Sequence, residues 1–275
     1  DAYIKNDEYA YSILYRVSSR DYSKIWWPNS DEFILWESLH QSGYLEDFAN
    51  SFFIVISDSE ERLNKVIPND FVYFSDPQRK PVYSTMTMKP RDKDYIVKKR
   101  MRGVEAEEKD VSIHKNLFRE MYIKGPLLST LWLHSVVECD NALAFEGLIK
   151  AYYDFILDYF NKHGGSFDTY DFLPHNIIVD TATGPYRVID KEWKVRAAVS
   201  PGYILFRALM WFAHGNEAVL HRICEIKNIV NAKEFVEYGF SLFSPALNQE
   251  LDKFIEIEEQ VQAKIAFQKG SDTVR

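Results

Sequence analysis

Apolar residues recur at helical spacing through the second half of the chain. Between residues 141 and 162 they fall three or four positions apart, which is typical of a helix with one face against a core. That apolar stripe comprises Leu148, Ala151, Tyr152, Phe155, Ile156 and Tyr159. Gly164 and Gly165 would end this helix. The same reasoning predicts further helices over 203–214, 217–229, 232–243 and 245–267.

The last of these predicted helices, 245–267, has a heptad-like order of apolar residues that Glu258 interrupts. Packing on the rest of the helical part is the default expectation. The alternative is that this helix begins a coiled coil and joins copies of the chain into an oligomer. About two to three heptads are too few to decide between these two roles.

Shorter runs with strand character occupy residues 59–125. They alternate with a period of two, or are rich in β-branched and aromatic residues, and both features favour strands. The runs are 70–74, 82–88, 94–101, 111–117 and 119–124, which predict one five-stranded sheet. In the run that contains Lys98, alternation places Tyr95 and Val97 on one face and Ile96 and Lys98 on the other.

The first 58 residues form a third segment. Acidic residues precede apolar ones at helical spacing over 31–42, which predicts a helix that 45–50 could extend. The apolar, β-branched run 51–57 predicts a buried strand. We therefore expect an α+β protein divided into an N-terminal segment (1–58), a mainly β part (59–125) and a mainly helical part (126–275).

The stretch 169–193, TYDFLPHNIIVDTATGPYRVIDKEW, has the most chemical content. Asp171 and Asn176 are separated by four residues and precede an apolar triplet, and a second short strand after a Thr-Gly-Pro turn ends at Asp190. This order predicts a loop that leads into a β-hairpin, which would bring Asp190 beside the other two residues. An acid to orient a hydroxyl, with an amide oxygen and a carboxylate for a hard cation, suits phosphoryl transfer.

This stretch resembles the catalytic segment of the protein-kinase-like superfamily, and in particular the aminoglycoside-phosphotransferase branch, whose loop H-G-D-x-x-x-x-N is followed by I-D-x-E. The resemblance implies a two-lobed fold, with a small mainly β lobe and a mainly helical lobe, preceded here by a short helix-strand segment. It implies that Asp171 is the catalytic base and that Asn176 and Asp190 bind Mg²⁺. Pro174 and Glu192 also match residues frequent in that branch.

The resemblance further implies a strand lysine that contacts the α- and β-phosphates of ATP. Lys98 is our candidate, and Lys99 is the alternative if the strand presents its other face. An acid after this strand, Glu105 or Glu107, would pair with the lysine, and no signal selects one of them.

Several family features are absent or changed. The turn 75–81, SDPQRKP, stands where the family has a glycine-rich loop but contains no glycine, so that Arg79 and Lys80 could meet phosphates only by charge. Thr169 stands where the family has His, and His175 where it has a small residue. The segment 123–128, IKGPLL, resembles the hinge between the two lobes, although a plain turn between lobes describes it as well.

The segment 48–57, FANSFFIVIS, resembles the closing helix and strand of bacterial SAM-dependent methyltransferases that carry a kinase-like domain behind them. No glycine-rich SAM-binding loop is present in the sequence, so a methyltransferase core would lie upstream. The context that this resemblance implies is the modification of surface polysaccharides.

The composition bears on the kinds of partner and the cellular compartment that the chain favours. A net charge of −8 argues against nucleic acid or an anionic membrane, because either would favour a basic surface. Two cysteines far apart, Cys139 and Cys224, fit a reducing cytoplasm. The longest apolar stretch, 203–213, is interrupted by Arg207 and is too short to span a bilayer.

Three functions arise as hypotheses. The first is an ATP- and Mg²⁺-dependent phosphotransferase that acts on a small-molecule or glycan hydroxyl. The second is a pseudokinase-type binding or scaffolding domain attached to a methyltransferase, which the missing glycine loop and Thr169 favour. The third is the substrate-positioning half of a methyltransferase whose chemistry lies in an upstream domain.

Overall fold

The computed structural model describes most of the chain, with gaps. The described residues are 32–45, 47–48, 56–75, 78–101, 111–113, 118–137, 142–164, 170–180, 186–195 and 199–266. The fold class is α+β, as predicted: a small antiparallel sheet, the sheet region (69–121), precedes a mainly helical part, the helical region (128–266). None of the helices in these ranges combines the length and apolar character needed to cross a bilayer.

Two helices precede the sheet. Helix α1 spans Glu32–Gln41, close to its predicted bounds, and the described residues of 45–50 form a turn and do not extend it. Glu37 of α1 lies 2.8 Å from His134, which ties this helix to the helical region. Helix α2 spans Glu60–Val66 and begins at Ser59, whose hydroxyl accepts from the Arg62 N–H. Most of the predicted strand 51–57 lies outside the described residues.

The strands form one four-stranded sheet and two separate pairs. Their bounds are β1 (Asn69–Phe74), β2 (Thr85–Pro90), β3 (Tyr95–Arg100), β4 (Val111–Ile113), β5 (Phe118–Met121), β6 (Ile177–Val179), β7 (Tyr186–Val188) and β8 (Trp193–Val195). The sheet is antiparallel in the order β1-β2-β3-β5. In β3 the side chain of Lys98 is buried and that of Lys99 is exposed, in agreement with the predicted alternation.

The prediction of a single five-stranded sheet is wrong. Strand β4 leaves that sheet and pairs antiparallel with β8, so that Ile113 lies opposite Trp193. The reason is burial: Val111 and Ile113 both enter the main core, which an edge position in the small sheet would not provide. The predicted strand 82–88 also starts late, because Pro81–Tyr83 forms a 3-10 turn before β2 begins.

The helices from residue 143 onward follow the predicted order, whereas the first helix of the helical region, Leu128–Val137, was not predicted. Their bounds are α3 (Leu128–Val137), α4 (Leu143–Lys162), α5 (Pro201–Gly215), α6 (Glu217–Lys227), α7 (Ala232–Ser241), α8 (Pro245–Gln249) and α9 (Leu251–Ile265). The single helix predicted over 245–267 is therefore two, which meet at Glu250. Side-chain caps at Ser200, Asn231 and Ser244 start α5, α7 and α8.

The core of the helical region is built around Trp132 of α3. Its ring meets Phe145, Tyr152 and Phe212 edge-on, with centroids 5.2 to 5.7 Å apart. On α4 the buried residues are Phe145, Ile149, Tyr152 and Ile156, whereas Ala151 of the predicted stripe is exposed. The rest of the predicted stripe is confirmed, because Leu148, Phe155 and Tyr159 are partly buried and also pack against the core.

Candidate active site

The loop that carries Asp171 is held by buried residues on both sides. Tyr170 and Phe172 are both in the core. The hydroxyl of Tyr152, on α4, donates to the carbonyl of Phe172 at 2.6 Å. The guanidinium of Arg207, on α5, donates to the carbonyl of Tyr170 at 2.8 Å. Two helices therefore fix the backbone before and after Asp171.

Asp171 and Asn176 are in direct contact. The Asn176 side-chain Nδ2 donates to Oδ2 of Asp171 at 2.9 Å, and both residues are buried. Burial raises the pKa of Asp171 above its ordinary value, while the charge of Arg207 opposes that rise. A carboxylate with a raised pKa is a stronger base, which suits a group that accepts a hydroxyl proton.

The hairpin brings Asp190 to this loop. Strands β6 and β7 pair antiparallel, and the N–H of Ile189 donates to the carbonyl of Asn176 at 2.8 Å. Asp190 has φ 60°, in the left-handed region, where Asp is one of the few non-glycine residues found with any frequency. Such backbone conformations cost energy and concentrate at functional sites.

Lys98 reaches this segment from the sheet. Its ammonium forms an ion pair with Oδ1 of Asp190 and lies 2.9 Å from Oε2 of Glu192. Burial works to lower the pKa of Lys98, but the two carboxylates outweigh it, and the net pKa is raised. Lys98 is therefore a buried, charged ammonium at the boundary between the sheet and the hairpin.

Glu192 is the residue around which the charges of this site are arranged. It is almost fully buried, and its Oε1 lies 2.7 Å from Nη1 of Arg79. Its Oε2 accepts from the Thr85 hydroxyl at 3.1 Å and pairs with Lys98. The sequence-based candidates for the partner of Lys98, Glu105 and Glu107, lie outside the described residues. The D-x-E spacing from Asp190 was the signal in the sequence for Glu192.

Arg79 comes from the glycine-free turn before β2. Its guanidinium lies 4.9 Å above the Trp193 ring, and the carboxylates of Glu192, Asp190 and Asp171 raise its pKa against the effect of burial. The N–H of the next residue, Lys80, donates to the carbonyl of Ile265 at the end of α9. A hydrogen bond to the helical region thus holds this turn in place. In that position the guanidinium of Arg79 contacts the acidic segment that contains Asp190 and Glu192.

Glu120 of β5 is a site residue that the sequence analysis did not identify. Glu120 lies opposite Ile96 in the sheet, and Ile96 is two residues from Lys98 on β3. The side chains of Glu120 and Lys98 therefore lie on the same face of the sheet. Its carboxylate accepts from the N–H of Asp190, and burial followed by the Asp190 charge raises the pKa of Glu120. No local signal distinguishes it, since an acid in a short strand is ordinarily solvated.

Asn176 and Asp190 suit an Mg²⁺ site completed by phosphates. Among the described residues, no three His, Cys, Asp or Glu side chains are grouped so as to hold a metal ion by themselves. Mg²⁺ is usually bound through one or two carboxylates together with substrate phosphates. Asp190 with a carboxylate and Asn176 with an amide oxygen match that requirement, and Nδ2 of Asn176 is engaged by Asp171.

The connection between the sheet and the helices lies directly against the hairpin. Gly125 has φ 157°, and a Cβ at this position would lie 2.4 Å from the carbonyl oxygen of Val179. The N–H of Val179 donates to the carbonyl of Pro126 at 2.9 Å. The predicted hinge segment 123–128 is therefore packed on β6, next to the loop of Asn176.

The chain matches no protein-family model, no curated protein and no solved structure in comparisons with each of the three. The residues of the site converge from five parts of the chain: the turn before β2, strand β3, strand β5, the loop before β6, and the segment after β7.

Proposed function

We propose that this chain is an ATP- and Mg²⁺-dependent phosphotransferase with a kinase-like arrangement of two lobes, which transfers phosphate to a hydroxyl of a small molecule or glycan. The observation that carries the proposal is the placement of a buried, charged Lys98 against Asp190 and Glu192, beside the Asp171–Asn176 pair. A cation for phosphates, oxygen ligands for a metal and a base then lie in one place.

Each residue has a distinct role in this proposal. Lys98 would bind the α- and β-phosphates, and Glu192 would hold its ammonium in position. Asn176 and Asp190 would hold Mg²⁺, which neutralises phosphate charge during the transfer. Asp171 would orient the acceptor hydroxyl and accept its proton. Catalysis of this kind consists mostly of positioning and charge stabilisation.

Arg79 offers a second phosphate contact in place of a glycine-rich loop. A turn without glycine does not readily form the usual backbone nest, so a charged side chain is the remaining means of binding phosphate there. Glu192 lies 2.7 Å from Nη1 of this guanidinium and so holds it beside the acidic segment.

The acceptor and the setting are part of the same proposal. The aminoglycoside-phosphotransferase-like loop favours a small-molecule or glycan hydroxyl over a protein acceptor. The methyltransferase-like segment 48–57 favours a bifunctional protein that modifies surface polysaccharides in the cytoplasm. An oligomer formed through the C-terminal helix stays a prediction, with Leu251, Phe254, Val261 and Ile265 already buried in the core of the chain.

The test is thermal stability with ATP, with and without Mg²⁺, for the wild type and Asp190→Asn. A ligand at about one hundred times its dissociation constant stabilises by about 2.7 kcal/mol, which should raise Tm by about 5 °C or more. We expect a Mg²⁺-dependent rise in the wild type that Asp190→Asn loses. Asp92→Asn is the matched control, because Asp92 also has a positive φ (58°) and lies in the turn between β2 and β3.

The second candidate is a docking module with a kinase-like fold. The glycine-free turn 75–81 favours it, since the usual phosphate-binding backbone is lacking there. The same titration separates the two candidates. An absent ATP-dependent shift in the wild type, with and without Mg²⁺, would refute the phosphotransferase and leave the docking module.

A further inference from the structure

Two charged residues interrupt otherwise apolar helical faces, Arg207 in α5 and Glu258 in α9. The structure buries both almost completely and pairs them, with Nε of Arg207 2.9 Å from Oε2 of Glu258. Neither charge is needed to fill space, because a buried ion pair can often be replaced by apolar residues without loss of stability. Their presence therefore calls for a reason other than packing.

The carboxylate of Glu258 is held by several donors. The Tyr203 hydroxyl donates to Oε2 at 2.6 Å, and Nε2 of Gln262 donates to Oε1 at 2.9 Å. The indole N–H of Trp211 donates to Oε1 at 3.3 Å. These donors and Arg207 together hold the buried carboxylate of Glu258 in one orientation. The carboxylate in turn fixes the orientation of the Arg207 guanidinium.

The other end of Arg207 contacts the loop of the site. Its Nη1 lies 3.2 Å from Oδ1 of Asp171 and 2.8 Å from the carbonyl oxygen of Tyr170. The guanidinium also lies 4.0 Å above the Tyr170 ring. Arg207 thus uses Nε for Glu258 and Nη1 for the loop, so that one rigid planar group joins α9 to Asp171.

We propose that Arg207 and Glu258 are positioning residues for Asp171, with Glu258 orienting Arg207 and Arg207 orienting the carboxylate. This proposal rests on the proposed function and deepens it. Asn176 holds Oδ2 of Asp171 and Arg207 holds Oδ1, so the two contacts together determine the plane of the carboxylate. A base aligned with an acceptor hydroxyl needs its carboxylate in one orientation.

The consequence is that the C-terminal helix belongs to the catalytic apparatus. Helix α9 provides Glu258 to the Asp171 side of the site. Its last residue, Ile265, accepts from the Lys80 N–H on the Arg79 side. One helix therefore supports both the base and the turn that stands in place of a glycine-rich loop.

The experiment measures kcat and KM for MgATP hydrolysis, with water as the acceptor, in the full chain. Arg207→Met/Glu258→Leu removes both charges at once, and Arg207→Lys keeps a cation that lacks the planar fork. We expect kcat per folded molecule to fall on the order of 10²-fold in both variants, because a small displacement of a catalytic group has effects of that size. The KM for ATP should stay within about twofold, since Lys98 and Asp190 are untouched.

A double-mutant comparison separates positioning from a merely structural role. If Arg207 acts through Asp171, Asp171→Asn/Arg207→Lys should have the same kcat as Asp171→Asn alone. The matched control is Lys227→Met, which breaks a 2.8 Å ion pair to Glu146 elsewhere in the helical region and should leave kcat unchanged.

Three outcomes decide against the proposal. Wild-type kcat in folded Arg207→Lys would overturn it, as would a further independent loss when Arg207→Lys is added to Asp171→Asn. In both cases the wild type is active and the proposed function stands. A wild type that neither binds nor hydrolyses MgATP overturns the proposed function and this inference together.

Discussion

Lys98 of strand β3 and Glu192 of the segment after Asp190 form a buried ion pair with a separation of 2.9 Å. This pair joins the sheet to the hairpin at the point where Asp190 also contacts the same ammonium. In the described residues the partner of the lysine therefore comes from the D-x-E motif itself. The same carboxylate binds Arg79, so that two cations are directed at one place.

Replacing Lys98 by Met should abolish the MgATP-dependent rise in Tm and weaken ATP binding at least about tenfold, or about 1.4 kcal/mol. It should also lower the free energy of unfolding by about 1.5–3 kcal/mol, because Glu192 would lose one of its two buried cationic partners and keep Arg79. Calorimetric titration with ATP and urea unfolding measure the two effects. Lys99→Met is the control, since Lys99 is exposed on the opposite face of the same strand. Equal ATP affinity in Lys98→Met and the wild type would contradict the role of Lys98.

The ion pair of Glu258 should make stability depend on pH in the acid range. Burial alone would raise the pKa of Glu258, but Arg207 and the hydrogen-bond donors outweigh it and hold the pKa below its ordinary value of 4.5. In the unfolded chain the carboxyl takes up a proton as the pH falls through 4.5, while the folded protein still holds it ionised. This contribution to stability is thus present above that pH and is lost as the pH falls through the lower, folded pKa.

Urea unfolding between about pH 3 and pH 6 tests this dependence. The Glu258→Gln variant should be less stable at neutral pH by about 1.5–3 kcal/mol, because Arg207 would lose the charge of Glu258 and keep Asp171 as its acidic partner. It should also lose less stability than the wild type on acidification. Glu256→Gln, an exposed substitution on the same helix, should keep the wild-type slope. Parallel slopes for Glu258→Gln and the wild type would show that Glu258 is not held ionised.

Gly125→Ala should destabilise the junction between the sheet and the helices. The Cβ would lie 2.4 Å from the Val179 carbonyl oxygen, in a backbone conformation that side chains rarely adopt. We expect a loss of about 1–3 kcal/mol in the free energy of unfolding, by analogy with strained backbone positions. Gly147→Ala is the control: this glycine lies in α4 with no atom within 4 Å of an added Cβ, and alanine should stabilise the helix by about 0.5–1 kcal/mol.

If the Gly125→Ala variant unfolds at the same urea concentration as the wild type, that result would contradict the close contact between segment 123–128 and β6. The functional consequence is measurable in the same variant. Because Val179 follows the Asn176 loop, a displaced junction should reduce the MgATP-dependent rise in Tm, and Gly147→Ala should leave that rise unchanged.

The sequence by itself determined the fold class, the order of most elements and the position of the Asp171, Asn176 and Asp190 segment. These follow from local backbone geometry: a helix repeats every 3.6 residues and a strand every two, so the apolar pattern reports each element directly. The face that carries Lys98 followed from the same alternation, and the hairpin from a turn between two apolar runs.

Only the tertiary structure decided which partners these elements have. Strand β4 pairs with β8 because Val111 and Ile113 are buried in the main core, which no local pattern shows. Lys98 meets Glu192, and Arg207 joins Glu258 to Asp171, across long separations in sequence. In the sequence Arg207 and Glu258 are only interruptions of apolar stripes. A buried charge needs an opposite charge beside it, and which residue provides that charge depends on how distant elements pack together.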